Sequence, residues 1–170
     1  MTFIWTRSLF LKKISKDQDF IGYFLKEPCS HFGILVNNRV LHWSFRGFID
    51  DSVEDFFKKR KRVFSTYYEL ESHEDEAKIY EHMKYKHRGS TYDYMYLIWL
   101  TWRGFLLFAF NRPIPYKEPF GDTTNNMICH EALEGLPARI RPKYDRNRSN
   151  TPYRLYLELK KGENDVSNFS

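Results

Sequence analysis

Three residues of this chain have side chains suited to acyl-transfer chemistry: His31, His42 and, far downstream, Cys129. A cysteine thiolate can attack a carbonyl carbon, while a nearby imidazole takes the thiol proton and later delivers one to the leaving group. Both histidines fall on one predicted hairpin. Asn37-Asn38 lies between two β-rich runs, and asparagine tolerates the positive φ of a tight two-residue turn. With that pair as the loop, Val36 opposes Arg39 and Gly33 opposes His42. Opposed residues share a face, and faces alternate along each strand. His31, Gly33, Leu35, Val40, His42 and Ser44 therefore line one face, and Phe32, Ile34, Val36, Arg39, Leu41 and Trp43 the other. His31 and His42 become diagonal neighbours about 7 Å apart or less, with Gly33 expected to leave open space between them.

Residues 125–135 read as a short helix with an asparagine cap and a glycine stop. Cys129 then lies in its first turn, where unpaired N–H groups and the helix dipole favour a thiolate. Cys29 precedes a strand and is the poorer nucleophile. Two cysteines cannot form a disulfide framework, and free thiols in a reducing compartment are the simpler expectation. The chain has no CxxC pattern, so neither metal nor cofactor is expected.

The elements around these residues give an α+β fold class. Residues 2–5 predict a strand, and 15–25 a helix that opens at Ser15 and is ended by Pro28. Residues 49–61 predict a helix started by Asp50, Asp51 and Ser52, with Val53, Phe56 and Phe57 as its apolar face. Residues 63–70 favour a strand, and 71–87 a charged helix broken by Arg88-Gly89-Ser90. Residues 93–110 are the most apolar segment and approach transmembrane length. Arg103 and Gly104 inside it favour a buried core helix over a span. Residues 111–124 read as a loop, and the alternation over 153–160 predicts a terminal strand. The expected architecture is a small antiparallel sheet with the Cys129 helix packed on it and other helices around the edge. Residues 1–160 form one domain, and 161–170 a mobile tail.

With 170 residues, 18% of them aromatic, the chain can bury a real core. Its net charge of +5 permits binding to phosphate-bearing polymers, anionic lipid or cell-wall surfaces without choosing among them. The densest basic run, 58–62, belongs to no recognisable nucleic-acid motif, so specific nucleic-acid binding ranks last. The first residues lack the unbroken apolar core and cleavage site of a signal peptide, which predicts cytoplasmic synthesis.

Ser30-His31-Phe32-Gly33-Ile34 resembles the S-H-x-G-I strand that carries the catalytic histidine in circularly permuted papain-fold proteins. That group includes the permuted NlpC-like, YiiX-like and lecithin retinol acyltransferase-like families. His42 sits where the acyltransferase relatives carry a second histidine, and residues 128–133 resemble their cysteine-bearing helix. The resemblance covers about residues 3–136 and implies Cys129 as nucleophile, His31 as general base and His42 as the group orienting it. It implies a thiol hydrolase or peptidase, or an acyltransferase, acting on an amide or ester. The substrate is then a cell-wall (peptidoglycan) peptide or a lipid acyl group. The alternative is a catalytically inactive papain-fold protein with a binding or structural role in a virus or phage, acting in the host cell or the virion.

Overall fold

The computed structural model describes residues 1–9, 20–44, 46–68, 70, 73–113, 126–127, 129–145, 148–149 and 151–167. Its main element is a five-stranded antiparallel sheet. The strands are β1 (Thr2–Ser8), β2 (His31–Val36), β3 (Arg39–Ser44), β4 (Gly47–Ser52) and β5 (Arg60–Tyr67). Their spatial order is β4-β3-β2-β1-β5. Around it lie α1 (Phe20–Leu25), α2 (Val53–Lys58), α3 (His73–His87), α4 (Tyr94–Phe110) and α5 (Pro152–Ser167). A 3-10 helix, Cys129–Gly135, and a short parallel pair, β6 (Thr91–Tyr92) with β7 (Asn126–Met127), complete the described elements.

Two successive hairpins build the half of the sheet that matters here. Asn37 and Asn38 adopt φ of 49° and 58°, the left-handed pair required by a two-residue turn whose twist matches the strands. Val36 then faces Arg39, and Gly33 faces His42, in the register the sequence predicts. The β3–β4 hairpin follows, with Ser44 opposite Gly47 and Val40 opposite Asp51. Gly47 takes φ +87°, and a β-carbon there would sit 2.5 Å from the Ser90 carbonyl oxygen. That turn therefore needs glycine on two counts.

Alternation along the strands sorts the sheet into two faces. Phe3, Trp5, Phe32, Ile34, Leu41 and Trp43 form the main core with Ile79 and Met83 of α3. Ala132, Leu133 and Leu136 at the 3-10 helix and Leu155 and Leu159 of α5 close over the same face. The Cys129-bearing helix thus packs on the sheet, as expected. The opposite face carries a smaller cluster of Ile4 and Val40 with Phe56 of α2.

Several expectations are corrected. Residues 49–51 are strand, not helix, and α2 spans only Val53–Lys58. Ser52 does cap it, accepting the Asp55 N–H, but the two aspartates before it belong to β4. The strand expected at 63–70 begins earlier, at Arg60. Residues 153–160 are helical: Pro152 suits a first helical position, and the Thr151 hydroxyl accepts the Arg154 N–H. The leucines there satisfy both a two-residue alternation and a four-residue period, and the buried pair Leu155 and Leu159 is the helical one. α5 runs on to Ser167, into the stretch expected as a tail. The helix expected from residue 125 begins instead at Cys129 and is 3-10, because Asn126 and Met127 are extended against β6. The helix expected at 15–25 is described from Phe20, and most of the 111–124 loop lies outside the described residues.

Gly135, at the end of the 3-10 helix, is buried, and a β-carbon there would run into Nε2 of the His87 imidazole. His87 is 3% exposed and its ring packs 4.5 Å from that of Trp43, so it has nowhere to retreat. Gly135→Ala is expected to lower stability by about 1–3 kcal/mol through overpacking. Urea unfolding with an unchanged m-value checks this, and an unaffected midpoint would show the ring free to move.

Candidate active site

The face bearing His31, Gly33, Val40 and His42 also carries Asp51, brought there by the second hairpin. His31 Nε2 lies 3.1 Å from His42 Nδ1, and His42 Nε2 lies 3.0 Å from Asp51 Oδ2. The predicted diagonal pair is therefore in direct hydrogen-bond contact, with a carboxylate behind it. His42 is fully buried, whereas Asp51 is 28% exposed and His31 half-buried. The chain of groups runs from partly solvated Asp51, through the sheet interior, to His31.

Chemistry fixes the direction of these bonds. A carboxylate only accepts, so His42 Nε2–H donates to Asp51. In a neutral ring the other nitrogen then carries a lone pair, so His31 Nε2–H donates to His42 Nδ1. That leaves His31 Nδ1 unprotonated, a base whose ring is held by its other nitrogen. Both rings are held neutral near neutral pH. Burial, then the neighbouring His42, then the Arg60 charge pushes the His31 pKa well below its usual value. Burial also lowers His42, against the opposing pull of Asp51.

The space at Gly33 is not open, contrary to expectation. A β-carbon there would lie 3.0 Å from Val40 Cγ1 and 3.3 Å from Phe56 Cζ. Phe56 fills the gap, with its ring centroid 5.0 Å from that of His42 and 6.1 Å from that of His31. The Arg60 guanidinium lies over the Phe56 ring, 4.8 Å from its centroid. Phe56 thus dries the relay, and Arg60 brings positive charge to its edge.

The structure brings His31 and His42 together and adds Asp51, which sequence reasoning placed at a helix start. Cys129 opens the 3-10 helix, whose buried residues pack on the sheet face opposite the relay, so the structure does not bring Cys129 together with His31 and His42. Its side chain lies outside the described residues. A seven-residue 3-10 helix aligns fewer peptide dipoles than the α-helix expected there, so its contribution to a thiolate is smaller. Cys29 is fully buried. Asp50, one residue before Asp51, points to the other face. It accepts hydrogen bonds from Arg39 Nε at 2.7 Å and Tyr80 Oη at 2.6 Å. Burial pushes its pKa up, but those donors outweigh it and hold the carboxyl below its usual value. No family model, curated protein or solved structure matches this chain.

Proposed function

We propose that the chain is a cysteine-dependent hydrolase or acyltransferase of the circularly permuted papain-like kind, with His31, the first residue of β2, as general base and Cys129 as the nucleophile. That pairing requires the thiol to reach His31 around that end of the sheet from the opposite face. The observation that carries this reading is the His31–His42–Asp51 relay, which fixes the His31 tautomer with a free lone pair at Nδ1. In the proposed reaction, Nδ1 accepts the Cys129 thiol proton as Sγ bonds to the carbonyl carbon of an amide or ester. Collapse of the tetrahedral intermediate breaks the C–N or C–O bond, and the imidazolium returns the proton to the departing amine or alcohol. Water or an acceptor hydroxyl or amine then attacks the thioester, again with His31 as base. His42 orients His31, and Asp51 holds His42. Cell-wall peptides and lipid acyl groups are both substrates of suitable chemistry.

Because both imidazoles are held neutral, the base remains competent into mildly acidic solution. Alkylation of Cys129 by iodoacetamide, mapped by mass spectrometry, is expected to fall sharply in a His31→Ala variant. Cys29 is too buried to serve as the control, so the comparison is between variants at Cys129. Equal rates in the two proteins would sink the nucleophile–base pair.

A second reading draws on Phe56, whose ring packs over both imidazoles. Under it the relay is a satisfied buried polar network that fixes the sheet register, in a papain-fold protein with a binding or structural role. Equal alkylation rates would favour this reading.

A further inference from the structure

The apolar helix α4 was expected in the core, but only Tyr96, Leu100 and Gly104 are buried along its 17 residues. These face α1, where Leu25 joins Tyr96 and Leu100 in a small cluster. The outward stripe is Met95, Ile98, Trp102 and Phe105, spaced three and four residues apart and each between 43% and 62% exposed. Phe110 extends it at 65% exposure. Isolated exposed apolar residues are ordinary, but a continuous apolar stripe along a whole helix is not.

We propose that this stripe seats α4 in the plane of an anionic lipid surface. Three observations favour that occupant. No residue from Tyr94 to Pro113 is acidic, so the helix meets a negatively charged surface without repulsion. Two exposed cations, Lys26 and Arg112, stand at the far end of α4. Lys26 Nζ contacts the Asn111 side chain at 3.4 Å, and the Arg112 N–H donates to the Leu106 carbonyl. They flank exposed Phe110 as headgroup-binding cations flank an interfacial helix. The helix is also about 25 Å long, short of the roughly 30 Å hydrocarbon core. Among the described residues no helix is long and apolar enough to cross a membrane. A second copy of this chain is the poorer occupant, because its α4 offers no carboxylate to Lys26 and Arg112.

The test is sedimentation of the full chain with vesicles of phosphatidylcholine alone or mixed with phosphatidylglycerol. Binding to the mixed vesicles is expected, with a blue shift of tryptophan emission from Trp102. Ile98→Glu should abolish binding while circular dichroism stays unchanged, since that side chain is 62% exposed. The pair Lys26→Gln and Arg112→Gln should leave the fold intact and weaken partitioning about 25-fold, near fivefold per cation. No binding to either vesicle, or Ile98→Glu binding like the parent, overturns the proposal. So does a concentration-dependent dimer that Ile98→Glu dissociates while vesicle binding is absent.

Discussion

Asp51→Asn is expected to reduce turnover of an activated ester probe by about 10²- to 10⁴-fold while leaving the fold in place. An asparagine side chain can turn its NH2 toward His42 Nε2, which then becomes the acceptor. His42 then carries its proton on Nδ1 and donates to His31 Nε2, so His31 must hold its own proton on Nδ1. The general base is thereby blocked by one heavy-atom exchange two residues removed from the chemistry. Asp51 is partly solvated, so its loss should change stability by about 1 kcal/mol or less. Urea unfolding and the pH profile separate the two effects. Unaltered turnover in a folded Asp51→Asn protein would detach Asp51 from the site.

Acid titration of stability is expected to show two large contributions of opposite sign. His87 is held neutral by burial, assisted by Lys86 and His82, with its pKa lowered to about 4. The unfolded chain binds that proton below about pH 6.5 and the folded one does not. Stability from His87 is therefore complete above pH 6.5 and is lost as pH falls toward 4, by about 3 kcal/mol in all. His31 and His42 act in the same direction, because their pKa values are also lowered. Glu27 does the reverse. Burial raises its carboxyl to about 7, against a hydrogen bond from Thr151 and the charge of Arg154. The unfolded chain releases that proton above about pH 4.5, so Glu27 costs stability as pH rises from 4.5 to 7, again about 3 kcal/mol. Between pH 4.5 and 6.5 the Glu27 and His87 slopes cancel. Glu27→Gln should unmask a steeper acid loss and raise stability at pH 8, read from urea midpoints across that range. A variant profile parallel to the parent's would show the Glu27 carboxyl to be unperturbed.

The histidine pair was legible because turn chemistry and alternation are local: Asn37-Asn38 fixes a register, and the register fixes who faces whom. Asp51 was not, because Asp-Asp-Ser also reads as a helix start. Its signal was Gly47, whose turn makes 47–52 a third strand and puts Ile49 and Asp51 on the His42 face. Phe56 was read as part of an apolar face, yet no local pattern shows that this face closes over Gly33. α4 misleads for a related reason. Apolarity reports a demand for burial, while what covers the helix depends on distant elements, and among the described elements α1 packs on a narrow strip of it. α5 fails by degeneracy, since its leucines satisfy two periods at once.

The relay lies wholly within residues 31–51, on three strands joined by two short turns. Its assembly therefore requires little loop-closure entropy, and the groups that hold the His31 tautomer meet when the meander zips, on the microsecond scale of hairpins. β1 and β5, which join across a far longer stretch of chain, come later in that order. Amide exchange should accordingly show β2, β3 and β4 opening as one unit, so the relay is made and lost as a block rather than residue by residue.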